Sequence, residues 1–191
     1  LERCLPTGNL QGLVLAPTRE LAQQVAEEMN QLQGDAGLSI MTVYGGTDLE
    51  KQAKGLDAGV DLIVGTPGRV MDMSERGHID LAKVEIFCLD EADRMLDMGF
   101  ADEIDAISSS LPQPRQTLLF SATFPKGVRD LAQDLREGAV QVDVTRTEEA
   151  PRISQRWLGI DAKERLAMLV DVMAHFGGER NLCLLYTSDA A

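Results

Sequence analysis

The chain has 191 residues, a formal net charge of −13, an apolar fraction of 44% and a charged fraction of 26%. These values describe a globular protein with enough residues for one domain and part of a second. The net charge argues against a protein that coats nucleic acid nonspecifically, but it allows a local nucleic-acid site, because exposed charges are screened beyond about 8 Å at physiological salt.

Two further features bear on the cellular setting. No apolar run approaches a membrane-spanning length, so we expect no membrane partner. The cysteines, Cys4, Cys88 and Cys183, are odd in number, far apart and without a CxxC pair. This usage favours reduced thiols in a cytoplasmic protein over a disulfide framework or a zinc site.

Strand and helix patterns alternate along the chain. Apolar runs bounded by turn residues predict six strands, at 12–16, 38–44, 60–64, 84–89, 116–120 and 140–144. Amphipathic stretches between them predict helices, one of which starts at a Thr47–Glu50 capping box and another at Thr66 before Pro67. Further along the chain, the pattern predicts strands at 153–160 and 181–186 with a helix at 164–176 between them. Phe120 and Trp157 are expected in the core. Strands that alternate with helices indicate an α/β fold with a mainly parallel sheet.

The stretch from Val84 to Asp93 organises the rest. Its apolar part predicts a strand buried on both faces, and three carboxylates follow at once, those of Asp90, Glu91 and Asp93. In nucleotide hydrolases an aspartate at such a strand end holds Mg²⁺ beside the phosphates. The alternative is that these acids only favour the start of the next helix.

In a parallel sheet, every loop that follows a strand leaves from the same edge. The loops after the first five predicted strands contain chemically useful residues: Thr18 and Arg19, Gly45 and Gly46, Thr66 to Arg69, Asp90 to Asp93, and Ser121 to Thr123. The sequence therefore predicts that one edge of the sheet gathers all of them into a single site.

The loops with arginine suit a phosphodiester strand. Helix starts attract anions, guanidinium groups grip phosphate through two hydrogen bonds, and Gly45-Gly46 allows close approach of a backbone. Aromatic residues make up only 4% of the chain, so contacts should be independent of base sequence. Ordinary turn and capping chemistry is the alternative for each loop. Ser121 and Thr123 either cap the following helix or bind Asp93 or another acid at the neighbouring strand end.

Several motifs together resemble those of the DEAD-box RNA helicases. They stand in that family's order and spacing: Pro17-Thr18-Arg19-Glu20-Leu21-Ala22, Gly45-Gly46, Thr66-Pro67-Gly68-Arg69, Asp90-Glu91-Ala92-Asp93 and Ser121-Ala122-Thr123. The resemblance implies RecA-like domains of the P-loop NTPase type, with ATP and Mg²⁺ in a cleft and RNA across the top. The implied activity is local unwinding or remodelling of RNA duplexes or RNA–protein complexes, driven by ATP hydrolysis.

The resemblance also implies residue roles. Asp90 would hold Mg²⁺ through water and with Glu91 would face the ATP phosphates. Glu91 would orient or deprotonate the attacking water. Asp93, bound to Ser121 and Thr123, would link hydrolysis to strand separation. The RNA contacts would come from Thr18, Arg19, Gly45, Gly46, Thr66, Gly68 and Arg69.

The same resemblance predicts a fragment truncated at both ends. Residues 1–146 would form most of the first RecA-like domain, 147–152 a linker and 153–191 the start of the second. The family's Gly-Lys-Thr phosphate loop is expected upstream of Leu1, so we expect the fragment alone to hydrolyse no ATP. The alternatives are a non-catalytic RNA-binding or scaffold protein with a RecA-like core, and a DNA-directed helicase.

Overall fold

The computed structural model describes residues 1, 3–135, 138–144 and 156–177. The chain divides into two compact units, Leu1–Gln141 and Val142–Ala191. The domain assignment made above stays a prediction. No helix within the described ranges is both long enough and apolar enough to cross a membrane.

The first unit is built on a five-stranded sheet in which every neighbouring pair is parallel. Its strands are β1 (Gly12–Leu15), β2 (Ile40–Val43), β3 (Leu62–Gly65), β4 (Ile86–Leu89) and β5 (Gln116–Leu119). They lie in the order β2-β3-β1-β4-β5. Each overlaps one of the first five predicted strands, so the predicted α/β class with a parallel sheet is confirmed.

Helices occupy the connections between these strands. They are α1 (Arg19–Leu32), α2 (Leu49–Asp57), α3 (Pro67–Glu75), α4 (Ala92–Asp97), α5 (Ala101–Ser109) and, after β5, α6 (Lys126–Leu135). The sequence explains several starts. Thr18 caps α1 by accepting a hydrogen bond from the amide of Leu21 at 3.2 Å. Thr66 and Pro67 open α3 as predicted, although the Thr66 side chain makes no capping hydrogen bond.

The predicted capping box at Thr47 is wrong. Asp48 caps α2 instead, accepting hydrogen bonds from the amides of Glu50 at 2.9 Å and Lys51 at 3.3 Å. A carboxylate accepts more strongly than a hydroxyl at a helix start, where the backbone dipole is positive. The Thr47 hydroxyl is left to donate to the carbonyl oxygen of Tyr44 at 3.1 Å.

The main core lies on one face of the sheet. Alternate strand residues such as Leu13, Leu15, Phe87 and Leu89 are fully buried there against side chains of α3, α4 and α5. Full burial of such a side chain contributes about 1.5–3 kcal/mol. This face therefore fixes the strands and, with them, the loops that leave their ends.

The opposite face is covered unevenly. Ala22 and Ala26 of α1 pack over part of it, whereas Cys88 of β4 is only half-buried and Phe120 is 55% exposed. The expectation that β4 is buried on both faces is therefore wrong, and so is a core position for Phe120. The physical reason is that the described residues place helix α1 over only part of this face.

Gly65 shows how closely the elements approach at the end of β3. A Cβ atom at this position would lie 2.5 Å from the carbonyl oxygen of Val43 and 2.6 Å from Cγ2 of Val70. A side chain here would force β2 or α3 away. The lack of a side chain lets α3 begin directly beside the neighbouring strand, which holds the loop between them in place.

Within the second unit, the described residues contain helix α7 (Arg165–Phe176), preceded by a 3₁₀ turn at Ala162–Glu164. This agrees with the predicted helix. Of the predicted strand at 153–160, residues 156–160 have no regular structure and the rest lies outside the described residues, as does the predicted strand at 181–186. Trp157 is 93% exposed, so its predicted core position is wrong.

The predicted sixth strand at 140–144 is also wrong. These residues have no regular structure, and Val140, Val142 and Val144 are 89%, 76% and 84% exposed. An alternating apolar pattern forms a strand only beside a partner that accepts its hydrogen bonds, and the described part of the chain places no strand next to it.

Candidate functional site

The ends of all five strands lie in one row. The register of the sheet aligns the last residues of the strands, in the order Val43, Gly65, Leu15, Leu89 and Leu119. The ladder then continues one residue further, through hydrogen bonds of 2.8–2.9 Å from the amides of Thr66, Ala16, Asp90 and Phe120 to the last residue of the neighbouring strand. With strands about 4.8 Å apart, the row spans about 19 Å. The predicted common edge is confirmed.

Asp90 stands where β4 reaches this edge. Its Oδ1 accepts a hydrogen bond from the amide of Glu91 at 3.0 Å. Partial burial raises the pKa of the Asp90 carboxyl, and the nearby Glu91 charge adds to the rise. Burial, helped by Asp90, also raises the pKa of the Cys88 thiol to about 12. A carboxylate whose charge is disfavoured in this way is stabilised when a cation binds it.

A groove of about 450 Å³ opens beside Asp90, on the unevenly covered face of the sheet. Its lining is mostly apolar and includes Val14, Cys88, Leu118 and Phe120. Asp90 is the one carboxylate among its lining residues. The groove thus brings an acidic oxygen to the end of an apolar surface.

Glu91 has an unusual backbone. Its φ and ψ are 50° and 52°, and among the described residues it is the one non-glycine residue with a positive φ. The left-handed region costs a non-glycine residue about 1 kcal/mol or more. The Glu91 carboxylate pairs with Arg94, with Oε2 3.0 Å from Nη1, and its side chain is 41% exposed. The strained turn holds this acid at the open rim of the edge.

Asp93 joins the end of β4 to the end of β5. Its Oδ2 accepts hydrogen bonds from the Thr123 hydroxyl at 2.6 Å and from the Thr123 amide at 2.9 Å. Ser121 Oγ accepts from the Asp93 amide at 3.2 Å and donates to the Thr123 carbonyl oxygen at 2.7 Å. The Thr123 hydroxyl, then that of Ser121, lower the pKa of Asp93. The predicted contact of Asp93 with Ser121 and Thr123 is confirmed.

On the other half of the edge, the loop after β2 and the start of α3 are tied together. Arg69 Nη1 donates to the carbonyl oxygen of Thr47 at 3.5 Å and to Gln52 Oε1 at 3.4 Å. The Gln52 amide donates to the carbonyl oxygen of Tyr44 at 3.0 Å. From α1, Gln23 Nε2 donates to the Tyr44 hydroxyl at 2.6 Å. Side chains thus connect helix α1, the loop after β2 and the start of α3.

Of the remaining predicted residues of this half, Arg19, Gly45 and Gly46 are exposed, whereas Thr18, Thr66 and Gly68 are half-buried. Arg19 is exposed and paired with Glu20 at 2.7 Å, which raises the pKa of the Arg19 guanidinium. A Cβ added to Gly45, Gly46 or Gly68 would meet nothing within 4 Å. Gly46 adopts a φ of 80°, which favours glycine. The backbone at these glycines is accessible to a large partner.

Four of these partners were missed from the sequence: Gln23, Tyr44, Gln52 and Arg94. Gln52 carried a weak signal, because it lies one helical turn before Leu56 on the buried side of α2, where an apolar residue is usual. Gln23, Tyr44 and Arg94 carried none, since their partners become neighbours only through the fold.

The donor set also bears on metal binding. Among the described residues, no group of three or more His, Cys, Asp or Glu side chains could hold a metal ion. Mg²⁺ does not require one, because it keeps several waters and binds one or two carboxylates together with substrate phosphates. Asp90, an acid at a strand end with a raised pKa, fits that role.

A parallel sheet with acids at one strand end, hydroxyls bound to one of them, and arginines near neighbouring helix starts is the arrangement of an open α/β fold, whose functional residues gather at the carboxyl ends of the strands. The sequence profile of the DEAD/DEAH box helicases matches residues 3–131. The chain belongs to this family.

Individual relatives agree with this assignment. The chain is 44% identical over 157 residues to RNA helicase CrhR of Synechocystis sp., covering 82% of this chain and 32% of the relative. It is 41% identical over 172 residues to ATP-dependent RNA helicase CshA of Listeria monocytogenes, covering 88% and 33%. The chain therefore spans about a third of the length of these relatives.

A solved structure shows the same fold. The crystal structure of a DEAD box protein from the hyperthermophile Methanococcus jannaschii matches with a TM-score of 0.70 and 34% identity, over 90% of this chain and 46% of that one. The predicted RecA-like fold is thereby confirmed, whereas the roles of the individual site residues stay predictions.

Proposed function

We propose that this chain is part of an ATP-dependent RNA helicase that locally separates RNA duplexes or remodels RNA–protein complexes. Family membership and relatives named as RNA helicases support the proposal. The observation that carries it is the Asp93–Thr123 hydrogen bond at 2.6 Å. It ties an acid of the candidate nucleotide site to the next strand end, on the same edge as the candidate RNA loops.

The nucleotide chemistry rests on two acids. Bound ATP with Mg²⁺ supplies the reactive phosphoryl group and a cation that offsets its charge. In our proposal, Asp90 would hold the ion through water. Glu91 orients the attacking water and accepts its proton, a role that requires an ionised carboxylate within hydrogen-bond reach. The exposed rim position of the Glu91 side chain leaves space for that water.

Asp93 serves as the connection rather than as a second base. Its carboxylate accepts two hydrogen bonds from Thr123, which lower its pKa and keep it ionised. A shift of the acidic turn on hydrolysis would pull on Thr123 and, through Ser121, on the loop after β5. We propose that this link transmits the state of the nucleotide to the sheet edge.

The RNA strand lies across the other half of the edge. Arg19 and Arg69 grip phosphates, Thr18 and Thr66 offer hydroxyls at helix starts, and the candidate glycines admit the RNA backbone: Gly45, Gly46 and Gly68. These contacts reach phosphates and sugars rather than bases, so binding should depend little on sequence. The chain carries an overall charge of −13. Acidic side chains farther than about 8 Å from the RNA are screened by salt, so they do not oppose this local attraction.

Two further parts of the proposal concern the chain as a whole. We place the protein in the cytoplasm, from the wide spacing and odd number of its cysteines. We also propose that these 191 residues alone hydrolyse no ATP, since they contain no glycine-rich Gly-Lys-Thr loop to cradle the phosphates. RNA-stimulated turnover by the isolated chain would contradict that second part.

Glu91→Gln in the full-length protein tests the proposed chemistry. It removes the proton acceptor and keeps the shape of the side chain, so we expect ATP turnover to fall by about 10²-fold or more, with ATP affinity unchanged. Glu50→Gln, at an exposed acid of α2, is the matched control and should behave like wild type. Near-normal turnover in the Glu91 variant would refute its role. A wild-type protein that binds RNA without hydrolysing ATP would point to a non-catalytic RNA-binding protein.

A further inference from the structure

Gln52 stands out among the buried side chains. Only three polar or charged residues are buried within the described ranges, namely Gln52, Asp61 and Arg115, and Gln52 is 8% exposed. It lies in the first turn of α2, whose start is fixed by the Asp48 cap. Its neighbours on the buried side of the helix, Ala53 and Leu56, pack into the core. The Gln52 side chain is therefore mounted on a rigid element.

Both ends of the Gln52 amide are used. Nε2 donates to the carbonyl oxygen of Tyr44 at 3.0 Å and to the Thr47 hydroxyl. Oε1 accepts from Arg69 Nη1 at 3.4 Å. The contacts to Tyr44 and Thr47 lie on either side of Gly45-Gly46, so one side chain holds both ends of the glycine loop. The same side chain also holds the arginine of the next loop along the edge.

The chemistry of these partners requires an amide. A carbonyl oxygen needs a donor, and a guanidinium needs an acceptor. Glutamate would place a carboxylate oxygen against the Tyr44 carbonyl oxygen. An apolar residue would supply neither the donor to that carbonyl nor the acceptor for Arg69. Of the side chains of this length, glutamine alone supplies both functions in one plane.

We propose that Gln52 is a positioning residue of the RNA-binding edge, which holds the Gly45-Gly46 loop and Arg69 in one arrangement before RNA arrives. Glycine-rich loops lose the most conformational entropy when ordered, so a loop held in advance spares that cost on binding. The inference rests on the proposed RNA-binding role of these loops. Its specific consequence is that Gln52 acts on RNA affinity and not on ATP chemistry.

The test uses Gln52→Met in the full-length protein, because methionine matches glutamine in length and in helix propensity and lacks both hydrogen-bonding functions. Affinity for single-stranded RNA is measured by fluorescence anisotropy, and ATP turnover is measured against RNA and ATP concentration. We expect RNA affinity, and the RNA concentration for half-maximal turnover, to worsen about tenfold, with turnover at saturating RNA and the ATP KM within twofold of wild type.

Two additional variants show how Gln52 acts. Gln52→Glu keeps the acceptor for Arg69 and loses the donors to the loop, so it should also weaken RNA binding. In an Arg69→Ala background, Gln52→Met should weaken binding less than it does in wild type, because part of its effect runs through Arg69. If Gln52→Met fails to fold, Gln52→Glu carries the test.

Leu56→Ala is the matched control in the same helix. It removes buried contacts of a residue that is 5% exposed and should lower stability without changing the RNA affinity of the folded protein. Wild-type RNA affinity in Gln52→Met, or an equal loss of affinity in Leu56→Ala, would overturn the inference. If the wild-type protein binds no RNA, or if Arg69→Ala does not weaken binding, the proposed function fails first.

Discussion

Gly68→Ala separates an RNA-binding role of the α3 start from a purely structural one. The new methyl group meets nothing within 4 Å, so the fold accepts it. Alanine is favoured over glycine in a helix by about 0.5–1 kcal/mol, and at the second residue of α3 we expect about half of that. For a domain of this size the melting temperature should rise by about 0.5–2 °C.

The same methyl group stands where we place the RNA backbone. If it displaces one phosphate from its charge-assisted hydrogen bond, about 1.4 kcal/mol is lost, which is tenfold in affinity. The expected result is therefore a more stable protein that binds RNA more weakly. Thermal unfolding followed by circular dichroism and RNA binding followed by anisotropy, both on the full-length protein, measure the two effects separately.

Gly127→Ala is the matched control. Gly127 is also the second residue of a helix, α6, and its added Cβ would meet only Leu96 Cδ1 at an ordinary 3.5 Å. This variant should gain similar stability and keep wild-type RNA affinity. If Gly68→Ala also keeps wild-type affinity, no RNA backbone approaches Gly68, and the proposed path across the edge is wrong.

Two predictions concern stability. Thr123→Val removes the hydroxyl that donates to Asp93 at 2.6 Å and, since that contact is solvent-exposed, should cost about 0.5–1 kcal/mol at neutral pH. Asp61 is 1% exposed, and its two oxygens accept hydrogen bonds from the amides of Gly8 at 2.7 Å and Ser39 at 2.8 Å. In Asp61→Asn one of these amides would face the new amino group, so the substitution should cost about 2–4 kcal/mol of stability. Urea unfolding measures both.

The two variants have different checks. The pKa of Asp93 is lowered in the folded state, so its stabilisation is present above the ordinary value of 3.8 and is lost as the pH falls through the lowered pKa. Thr123→Val and wild type should therefore converge in acid, and a gap that persists there would contradict the assignment. For Asp61, the exposed Asp105→Asn is the comparison, and a loss no larger than in that variant would show that the buried hydrogen bonds contribute little.

The sheet could be predicted because buried parallel strands leave short apolar runs between turn residues. Once the strands were parallel, the meeting of Arg69, Asp90 and Thr123 at one edge followed from topology alone. The sheet and its edge depend on local pattern and chain direction, both of which are present in the sequence. For Asp93 and Thr123 the residues alone leave helix capping as an alternative, and the resemblance to the DEAD-box helicases selects the pairing.

Other features depend on competition or on distant neighbours. Thr47 and Asp48 are adjacent candidates for one cap, and the stronger acceptor takes it. The half-burial of Cys88 depends on how much of the sheet α1 covers, and the exposure of Val142 depends on the lack of an adjacent strand among the described residues. The hydrogen-bond partners of Gln52 lie in loops that follow other strands. Its position in α2 therefore marks an unusual polar residue on the buried side of the helix but does not identify those partners.

The left-handed backbone at Glu91 has a consequence for protein engineering. Glycine or asparagine would adopt that geometry more easily, so Glu91→Gly should leave the turn relaxed and the fold at least as stable. Selection for thermal stability alone would therefore favour substitutions at position 91 that remove the carboxylate. Selection at position 91 should therefore always be scored by turnover as well as by melting temperature.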